Sequence, residues 1–227
     1  MRQFDDLTYV HSVNVALIAS ILGQWLKFSE KDIRILTISG LLHDIGKIMI
    51  PNEILTKPGK LTVAEYNIMK QHVNFGYEKV KNQNIDIRIK EACLLHHEKC
   101  DGTGYPFGLK SDHIPAVAKI IAIADVYDAM TSARVYRGAL CPFEVIDTMY
   151  KDAFTKFEPE YILPFLKNVA SSYINNDVRL SDGRIGKVVL INENALSLPI
   201  VQCEDEFIDL SLSLIHISEP TRLQLIS

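Results

Sequence analysis

The chain has 227 residues, enough for one sizeable domain or for a domain with a small appendage. Its composition, 48% hydrophobic and 23% charged, excludes a disordered or fibrous protein. The formal net charge of −4 argues against a general nucleic-acid-binding surface, although bound cations would still allow a small phosphate substrate. No apolar run approaches the ~20 residues of a membrane helix, and the four cysteines include no C-x-x-C pair. These features favour a reduced, cytoplasmic protein.

Helical patterns fill the first three quarters of the chain. Ser29 with Asp32, and Thr62 with Glu65, have the spacing of helix capping pairs. The segment 114–132 is apolar on nearly all sides, which predicts a helix at the centre of the core. From these patterns and the helical spacing of apolar residues we expect helices at about 10–26, 29–43, 62–81, 85–97, 114–132, from 142 onwards, and at 158–173.

The pattern changes after Tyr173. Short β-type runs surround an Asp182-Gly183 turn, and we predict a small antiparallel β appendage at 178–210. The last segment, 211–227, has neither the helical nor the β-type pattern, and it resembles a translated adapter sequence. We predict that it is non-native and disordered.

Five of the seven histidines stand at conspicuous positions together with two aspartates. Asp125 is the most informative, because a carboxylate in an otherwise apolar helix is costly to bury without a partner. A metal ion would remove that cost. The set is His11 on the first helix, the pair His43-Asp44, His72 in the middle of a helix, the pair His96-His97, and Asp125.

This set exceeds what one ion needs, so it predicts a two-metal centre that could activate water and neutralise a phosphoryl group. Imidazoles with a few carboxylates favour Fe, Mn, Zn or Ni over Mg or Ca. Lys47, one turn beyond His43, is placed to contact a phosphate oxygen. Any one of these histidines alone is more often an ordinary core or surface residue. We exclude His113, in a loop, and His216, in the last segment.

Several motifs resemble the HD-GYP family, within the HD superfamily of metal-dependent phosphohydrolases. The stretch "LLHDIGKIMIP" resembles the HD metal motif, and "HHEKCDGTGYPFGL" resembles the element that gives the HD-GYP family its name. The stretches "LTVAEYNIMKQHVNFGYE" and "IIAIADVYDAMTSARVYR" are similar to the family's other helical segments. The resemblance covers about residues 5–170 and implies a mainly α fold, an HD-type helical bundle at 1–175.

The resemblance implies a phosphodiesterase that hydrolyses cyclic di-GMP to pGpG, GMP or both, with two divalent ions, most often iron or manganese. It assigns His11, His43, Asp44 and Asp125 to one ion. Asp44 would bridge to a second ion, held by His72, His96 and His97. Lys47 would stabilise the attacked phosphate, so that Asp44 and Lys47 are the expected catalytic residues.

The resemblance also implies substrate contacts. The sequence departs from the family pattern at Val135, where proline is usual, and at Asp6. A shorter Asp6 stands where many members have a glutamate, which argues against a third ion. HD-GYP domains usually follow a sensory or receiver domain, so the chain is either a fragment or a stand-alone enzyme. The expected substrate-binding residues are Lys47, Asp101, Gly104, Tyr105, Pro106, Arg134 and Arg137.

Two alternatives to this function stay open. The chain could be a non-hydrolytic module that binds a cyclic dinucleotide, or that contacts a partner such as a cyclase through its Gly-Tyr-Pro loop. It could also be a phosphodiesterase for another cyclic dinucleotide such as cyclic GMP-AMP, because nothing in the sequence separates guanine from adenine recognition.

Overall fold

A computed structural model describes the backbone of residues 2–132 and 140–220, with the side chains of residues 8–132 and 140–218. The helices are α1 Arg2–Trp25, α2 Glu30–Leu42, α3 Asn52–Leu55, α4 Val63–Met69, α5 His72–Val80, α6 Ile87–Leu95, α7 Ala116–Thr131, α8 Pro142–Asp152 and α9 Pro159–Ser171. The strands are β1 Asp177–Leu180, β2 Ile185–Leu190, β3 Ile200–Cys203, β4 Glu206–Asp209 and β5 Ile217–Pro220. This confirms a mainly α fold with a C-terminal antiparallel sheet.

The predicted capping pairs are present. The Ser29 hydroxyl accepts a hydrogen bond from the backbone N–H of Asp32 at 3.2 Å and begins α2. Thr62 and Glu65 form both halves of a capping box at the start of α4. These polar side chains satisfy backbone N–H groups that have no partner within the helix.

The single helix predicted over 62–81 is wrong, since the structure has two. A turn at Lys70 and Gln71 separates α4 from α5. His72 is therefore the first residue of α5 and does not lie in the middle of a helix, as the sequence had suggested. At this turn the ring Nδ1 of His72 lies 2.8 Å from the Met69 carbonyl oxygen. The side chain thereby takes part in backbone hydrogen bonding, which helical spacing alone does not reveal.

Helix α7 lies at the centre of the helical part, as predicted. It contacts α1, α2, α6, α8 and α9, which explains why its apolar residues point in all directions. Ile120, Ile121 and Ile123 are fully buried. In the described ranges, no helix combines enough length with enough apolar character to cross a membrane.

The strands form one antiparallel sheet in the order β4-β3-β2-β1-β5. Its buried face, including Val178 and Val201, belongs to the same apolar core as α8 and α9. Strand β5 lies in the segment expected to be disordered, so that expectation is wrong for residues 217–220. The non-native origin of 211–227 and the division into two domains stay predictions.

Candidate metal centre

The seven side chains predicted to hold metal come together in two adjacent groups. One group contains Asp44, His72, His96 and His97, and the other contains His11, His43 and Asp125. Within each group the possible ligand atoms all lie within 4.8 Å of one another. The same division into two groups was expected from the family resemblance.

The candidate ligands come from five separate parts of the helical bundle. His11 lies on α1, His43 ends α2, His72 begins α5, His96 ends α6, and Asp125 lies on α7. The 3-10 turn that follows Asp44 packs directly on α5. A Cβ at Gly46 would lie 1.9 Å from the His72 carbonyl oxygen, so only glycine allows this approach.

Asp44 lies between the two groups, and each of its oxygens faces a different one. Its Oδ2 lies 3.6 Å from His11 Nε2 and 3.4 Å from His43 Nε2. Its Oδ1 lies 3.3 Å from His72 Nε2 and 3.8 Å from His96 Nε2. This is the placement of a carboxylate that can bridge two ions.

Three histidines are oriented by the backbone of their own helix or turn. The Nδ1 atoms of His43, His72 and His96 lie 2.7, 2.8 and 3.0 Å from the carbonyl oxygens of Gly40, Met69 and Ala92. A hydrogen on Nδ1 leaves the Nε2 lone pair directed at Asp44. Such contacts fix the ring tautomer and orientation that a metal ligand needs.

His11 is oriented instead by Asp128, a residue that the sequence reasoning did not assign. His11 Nδ1 lies 2.6 Å from Asp128 Oδ2, and Asp128 also accepts hydrogen bonds from Asn14 and Ser132 at 2.9 Å each. Asp128 is buried on α7, one turn after Asp125. A second carboxylate in the same apolar helix was the available signal.

The unsatisfied atoms of the site test whether a metal fits. Among the described residues, His43 Nε2 and Asp44 Oδ1 are buried and have no hydrogen-bond partner. Leaving such atoms unpaired costs on the order of 1–3 kcal/mol each. Both atoms face the interior of the centre, so ions bound there would satisfy them. The His/Asp donor set therefore fits a binuclear metal site.

The charge distribution also suits cation binding. Burial lowers the pKa of His72, holds that of His96 well below its ordinary value, and lowers that of His97 to about 4, so these rings are neutral. Burial alone would raise the pKa of Asp44, but Lys47 and His43 outweigh it and keep this pKa well below the ordinary range. Two ionised carboxylates, Asp44 and Asp125, thus lie beside the neutral rings of His72, His96 and His97.

His11 differs from the other histidines. Burial opposes its charged form, but hydrogen bonds to Asp125 and Asp128 outweigh burial and raise its pKa to about 9. Its Nε2 lies 3.1 Å from Asp125 Oδ1. Since an imidazole binds a metal only through a deprotonated nitrogen, an ion at this position would replace the Nε2 proton.

Lys47 lies at the edge of the centre. Its ammonium donates a hydrogen bond to Asp44 Oδ2, and its side chain is 25% exposed. A cation that contacts the bridging carboxylate and still reaches solvent could also contact a phosphate oxygen. The position fits the role predicted for Lys47.

The Gly-Tyr-Pro loop is held against the centre by Glu98. Its buried carboxylate accepts hydrogen bonds from the backbone N–H groups of Phe107 at 2.7 Å and Leu109 at 2.9 Å. A Cβ at Gly104 would lie 2.4 Å from the Lys99 nitrogen, so glycine lets the loop pack on the chain after His97. The buried Glu98, two residues after His96, is a further residue that the sequence reasoning did not assign.

This packing places Tyr105 beside the candidate metal centre. Its ring stacks on the His97 ring with centroids 4.8 Å apart and planes 30° apart. Pro106 is half-buried beside it, whereas the exposed Asp101 accepts hydrogen bonds from the Thr103 N–H at 2.9 Å and hydroxyl at 2.7 Å. Asp101 therefore shapes the loop, and its contact with substrate stays a prediction.

The remaining predicted residues fall into two sets. Arg134 and Arg137 lie outside the described residues, as does the side chain of Asp6. His113 and His216, which the sequence analysis excluded, are exposed and belong to neither group. Among the described residues, Cys93, Cys100 and Cys203 form no disulfide.

The chain is similar to several proteins that are named as cyclic dinucleotide phosphodiesterases. A cyclic di-GMP phosphodiesterase of Pseudomonas aeruginosa, PA4108, is 36% identical over 203 residues, which are 89% of this chain and 49% of that protein. The cyclic di-GMP phosphodiesterase response regulator RpfG of Xanthomonas campestris is 41% identical over 67% of this chain and 41% of its own length. A 3'3'-cGAMP-specific phosphodiesterase 2 of Vibrio cholerae is 36% identical over 68% of this chain and 30% of its own length. The chain spans half or less of these relatives.

Solved structures share the fold. Bd1817, an HDG"Y"P protein from Bdellovibrio bacteriovorus, matches with a TM-score of 0.58 at 23% identity, over 69% of this chain and 50% of that one. The HD domain of the phosphodiesterase PgpH from L. monocytogenes, in complex with cyclic-di-AMP, matches with a TM-score of 0.55 at 19% identity, over 73% of this chain and 89% of that one. The HD domain family itself matches residues 5–161. The family predicted from the motifs is confirmed, and the chain belongs to the HD domain family.

Proposed function

We propose that this chain is a metal-dependent phosphodiesterase that hydrolyses cyclic di-GMP to pGpG, GMP or both. The observation that carries the proposal is the position of Asp44, whose two oxygens face two groups of histidines. Buried, unpartnered ligand atoms at His43 and Asp44 support two ions there. The relatives named as cyclic di-GMP phosphodiesterases support the substrate.

In this proposal each group of side chains holds one divalent ion and Asp44 contacts both. The His/Asp set suits Fe, Mn, Zn or Ni, and the family resemblance favours iron or manganese among these metals. Two such ions would supply a water molecule of lowered pKa and would neutralise charge on the phosphoryl oxygens. The first ion would be held by His11, His43, Asp44 and Asp125, and the second by Asp44, His72, His96 and His97.

The other residues of the site would stabilise the phosphate or orient the side chains around the ions. Lys47 is close enough to Asp44 to be held in place and exposed enough to donate a hydrogen bond to a non-bridging phosphate oxygen. Charge developing on that oxygen would strengthen the bond in the transition state. Asp128 keeps the His11 ring oriented, and Glu98 keeps the loop with Tyr105 against His97.

The choice of cyclic dinucleotide is part of the proposal. Relatives of similar identity are named for cyclic di-GMP and for 3'3'-cGAMP, so cyclic GMP-AMP is the second candidate. Arg134 and Arg137 are proposed phosphate contacts on the basis of the family resemblance.

The experiment is an assay of the purified chain under anaerobic conditions with Fe(II) or Mn(II). Cyclic di-GMP, 3'3'-cGAMP and cyclic di-AMP are supplied separately, and products are identified by chromatography. We expect cyclic di-GMP to give the fastest turnover, and the matched Asp44→Ala variant to give none. Faster cleavage of 3'3'-cGAMP would make that molecule the proposed substrate and would leave the proposed hydrolytic chemistry unchanged.

A binding module is the alternative from another functional class. Phe107, at the end of the Gly-Tyr-Pro loop, is 62% exposed and could contact a partner such as a cyclase. Tight binding of cyclic di-GMP without cleavage under either metal would favour this alternative and contradict the proposed enzyme.

A further inference from the structure

A cation lies beside the Gly-Tyr-Pro loop and has no role in the proposed chemistry. The Lys70 ammonium lies 5.3 Å from the centroid of the Tyr66 ring and 5.9 Å from that of the Tyr105 ring. Tyr66 is on α4, Lys70 is in the turn between α4 and α5, and Tyr105 is on the loop. The turn that breaks the predicted helix thus brings a lysine between two aromatic faces.

Lys70 is not held by an acidic side chain. Within the described part of the chain it forms no ion pair, whereas Lys47, Lys57 and Lys119 each contact a carboxylate. Because no carboxylate pairs with it there, the Lys70 ammonium is available to pair with a bound anion. Tyr66 is 48% exposed and Lys70 is half-buried, so an anion can reach this position from solvent.

The position is linked to the metal centre by a short series of contacts. Tyr105 stacks on His97, and His97 belongs to the group with Asp44, His72 and His96. Lys70 is also only two residues before His72 in the chain. A ligand bound at the metals and large enough to cross the Tyr105 ring would meet the Lys70 ammonium.

We propose that Lys70, Tyr66 and Tyr105 form a subsite for the half of a cyclic dinucleotide that is not being cleaved. This inference rests on the proposed function. Such a substrate carries two phosphodiesters in one ring, so when one lies at the metals the other is displaced from them. Lys70 would bind that second phosphate as a point charge, and the exposed Tyr66 ring would offer a face on which a purine can stack. Tyr105, stacked on His97, would form the side of the subsite next to the metals.

Kinetics with two substrates tests the subsite. Cyclic di-GMP has a second phosphate and two bases, whereas bis(p-nitrophenyl) phosphate has a single phosphodiester and no purine. Each is assayed with the metal-loaded wild type, Lys70→Met, Lys70→Arg and Lys79→Met. Lys79 is an exposed lysine in the last turn of α5 and serves as the control.

We expect Lys70→Met to raise the KM for cyclic di-GMP roughly tenfold, since a hydrogen bond to a charged group is lost. Its kcat for cyclic di-GMP should change much less than its KM, and bis(p-nitrophenyl) phosphate should lose far less kcat/KM than cyclic di-GMP does. Lys70→Arg should restore most of the affinity, and Lys79→Met should match the wild type. Metal content and circular dichroism identify any variant that fails to fold.

Other outcomes overturn the subsite. An unchanged KM for cyclic di-GMP in Lys70→Met contradicts it, and equal losses on both substrates indicate a structural role instead. If the wild type cleaves only the small diester, the proposed function fails. Calorimetric titration of cyclic di-GMP into metal-loaded wild type and Lys70→Met then tests the subsite by itself, and equal affinities overturn it.

Discussion

Lys47 and Asp44 are in direct contact, yet their proposed roles are separable. Asp44 is buried between both groups of histidines. Lys47, in contrast, contacts only the Oδ2 atom of Asp44 and reaches solvent. Removing Asp44 would take a ligand from each of the two proposed ions. Removing Lys47 leaves every proposed ligand in place.

We therefore expect Lys47→Ala to retain both metals while kcat falls roughly 10²- to 10³-fold, because a donor to a charged oxygen is lost. His43→Ala, in contrast, should lose metal and activity together. Elemental analysis of the purified variants, paired with single-turnover rates, checks both. Loss of metal from Lys47→Ala would refute the role assigned to it.

Asp128 belongs to neither group of candidate ligands and contacts His11 instead. It holds the ring of His11 at 2.6 Å and is itself fixed by Asn14 and Ser132. We expect Asp128→Ala to lower metal affinity about 10- to 100-fold, as is usual when the carboxylate behind a ligating histidine is removed. Competition with a chromogenic chelator measures this effect. Asp147→Ala, on the surface of α8, is the matched control, and equal affinities of the two variants would contradict the assignment.

At the scale of elements, the sequence contains the signals that come from local chemistry and lacks those that come from tertiary packing. Ser29 and Thr62 cap helices because the partner groups are within three residues. The turn at Lys70 has no glycine or proline to mark it, and its lysine lies over a ring that belongs to a distant loop. Asp128 likewise meets His11 across 117 positions of the chain, which is beyond any local pattern.

The candidate metal ligands could be recognised in the sequence for a related reason. His43-Asp44 and His96-His97 are adjacent in sequence, and Asp125 is conspicuous in an apolar helix. The distances that place Asp44 between the two groups depend on how α1, α2, α5, α6 and α7 pack, so only the structure supplies them. The chemistry could thus be inferred from residue types, and the geometry could not.

Helix α6 delivers His96 and His97, and Asp86 caps its beginning. The Asp86 carboxylate accepts hydrogen bonds from the Arg88 backbone N–H at 3.0 Å and from the Arg88 side chain. We expect Asp86→Ala to reduce the free energy of unfolding by about 1 kcal/mol, the usual value of an N-cap. Asp86→Asn should lose less, since asparagine is also a good cap. Urea denaturation measures both, and equal losses would show that the cap contributes little.

The same carboxylate gives a pH dependence. The Arg88 side chain, followed by its backbone N–H, lowers the pKa of Asp86 to about 2. Because this pKa lies below that of the unfolded chain, ionised Asp86 stabilises the fold above about pH 4, and the effect is lost as the pH falls towards 2. The difference in unfolding free energy between wild type and Asp86→Asn should therefore shrink in acid. A difference that grows as the pH falls would contradict this.

At the scale of the whole molecule, the two proposed ions would connect most of the helical part. Their ligands lie on α1, α5 and α7 and at the ends of α2 and α6, and α7 also packs on α8 and α9. The sheet joins the same apolar core. An unfolded chain cannot bring such distant residues together, so ions should bind the folded state far more tightly.

Metal removal should accordingly lower the stability of the entire chain. Free Mn(II) at a hundred times its dissociation constant would stabilise the fold by about 2.7 kcal/mol per site. In a chain of this size that corresponds to a rise in Tm of roughly 5–10 °C per site. Calorimetry with Mn(II) and with excess chelator measures the shift, and Asp44→Ala, which lacks the bridging ligand, should show little of it. Either of two results would contradict a centre whose ligands are brought together only by the fold. One is a wild-type Tm that does not change with Mn(II), and the other is an equal shift of Tm in Asp44→Ala.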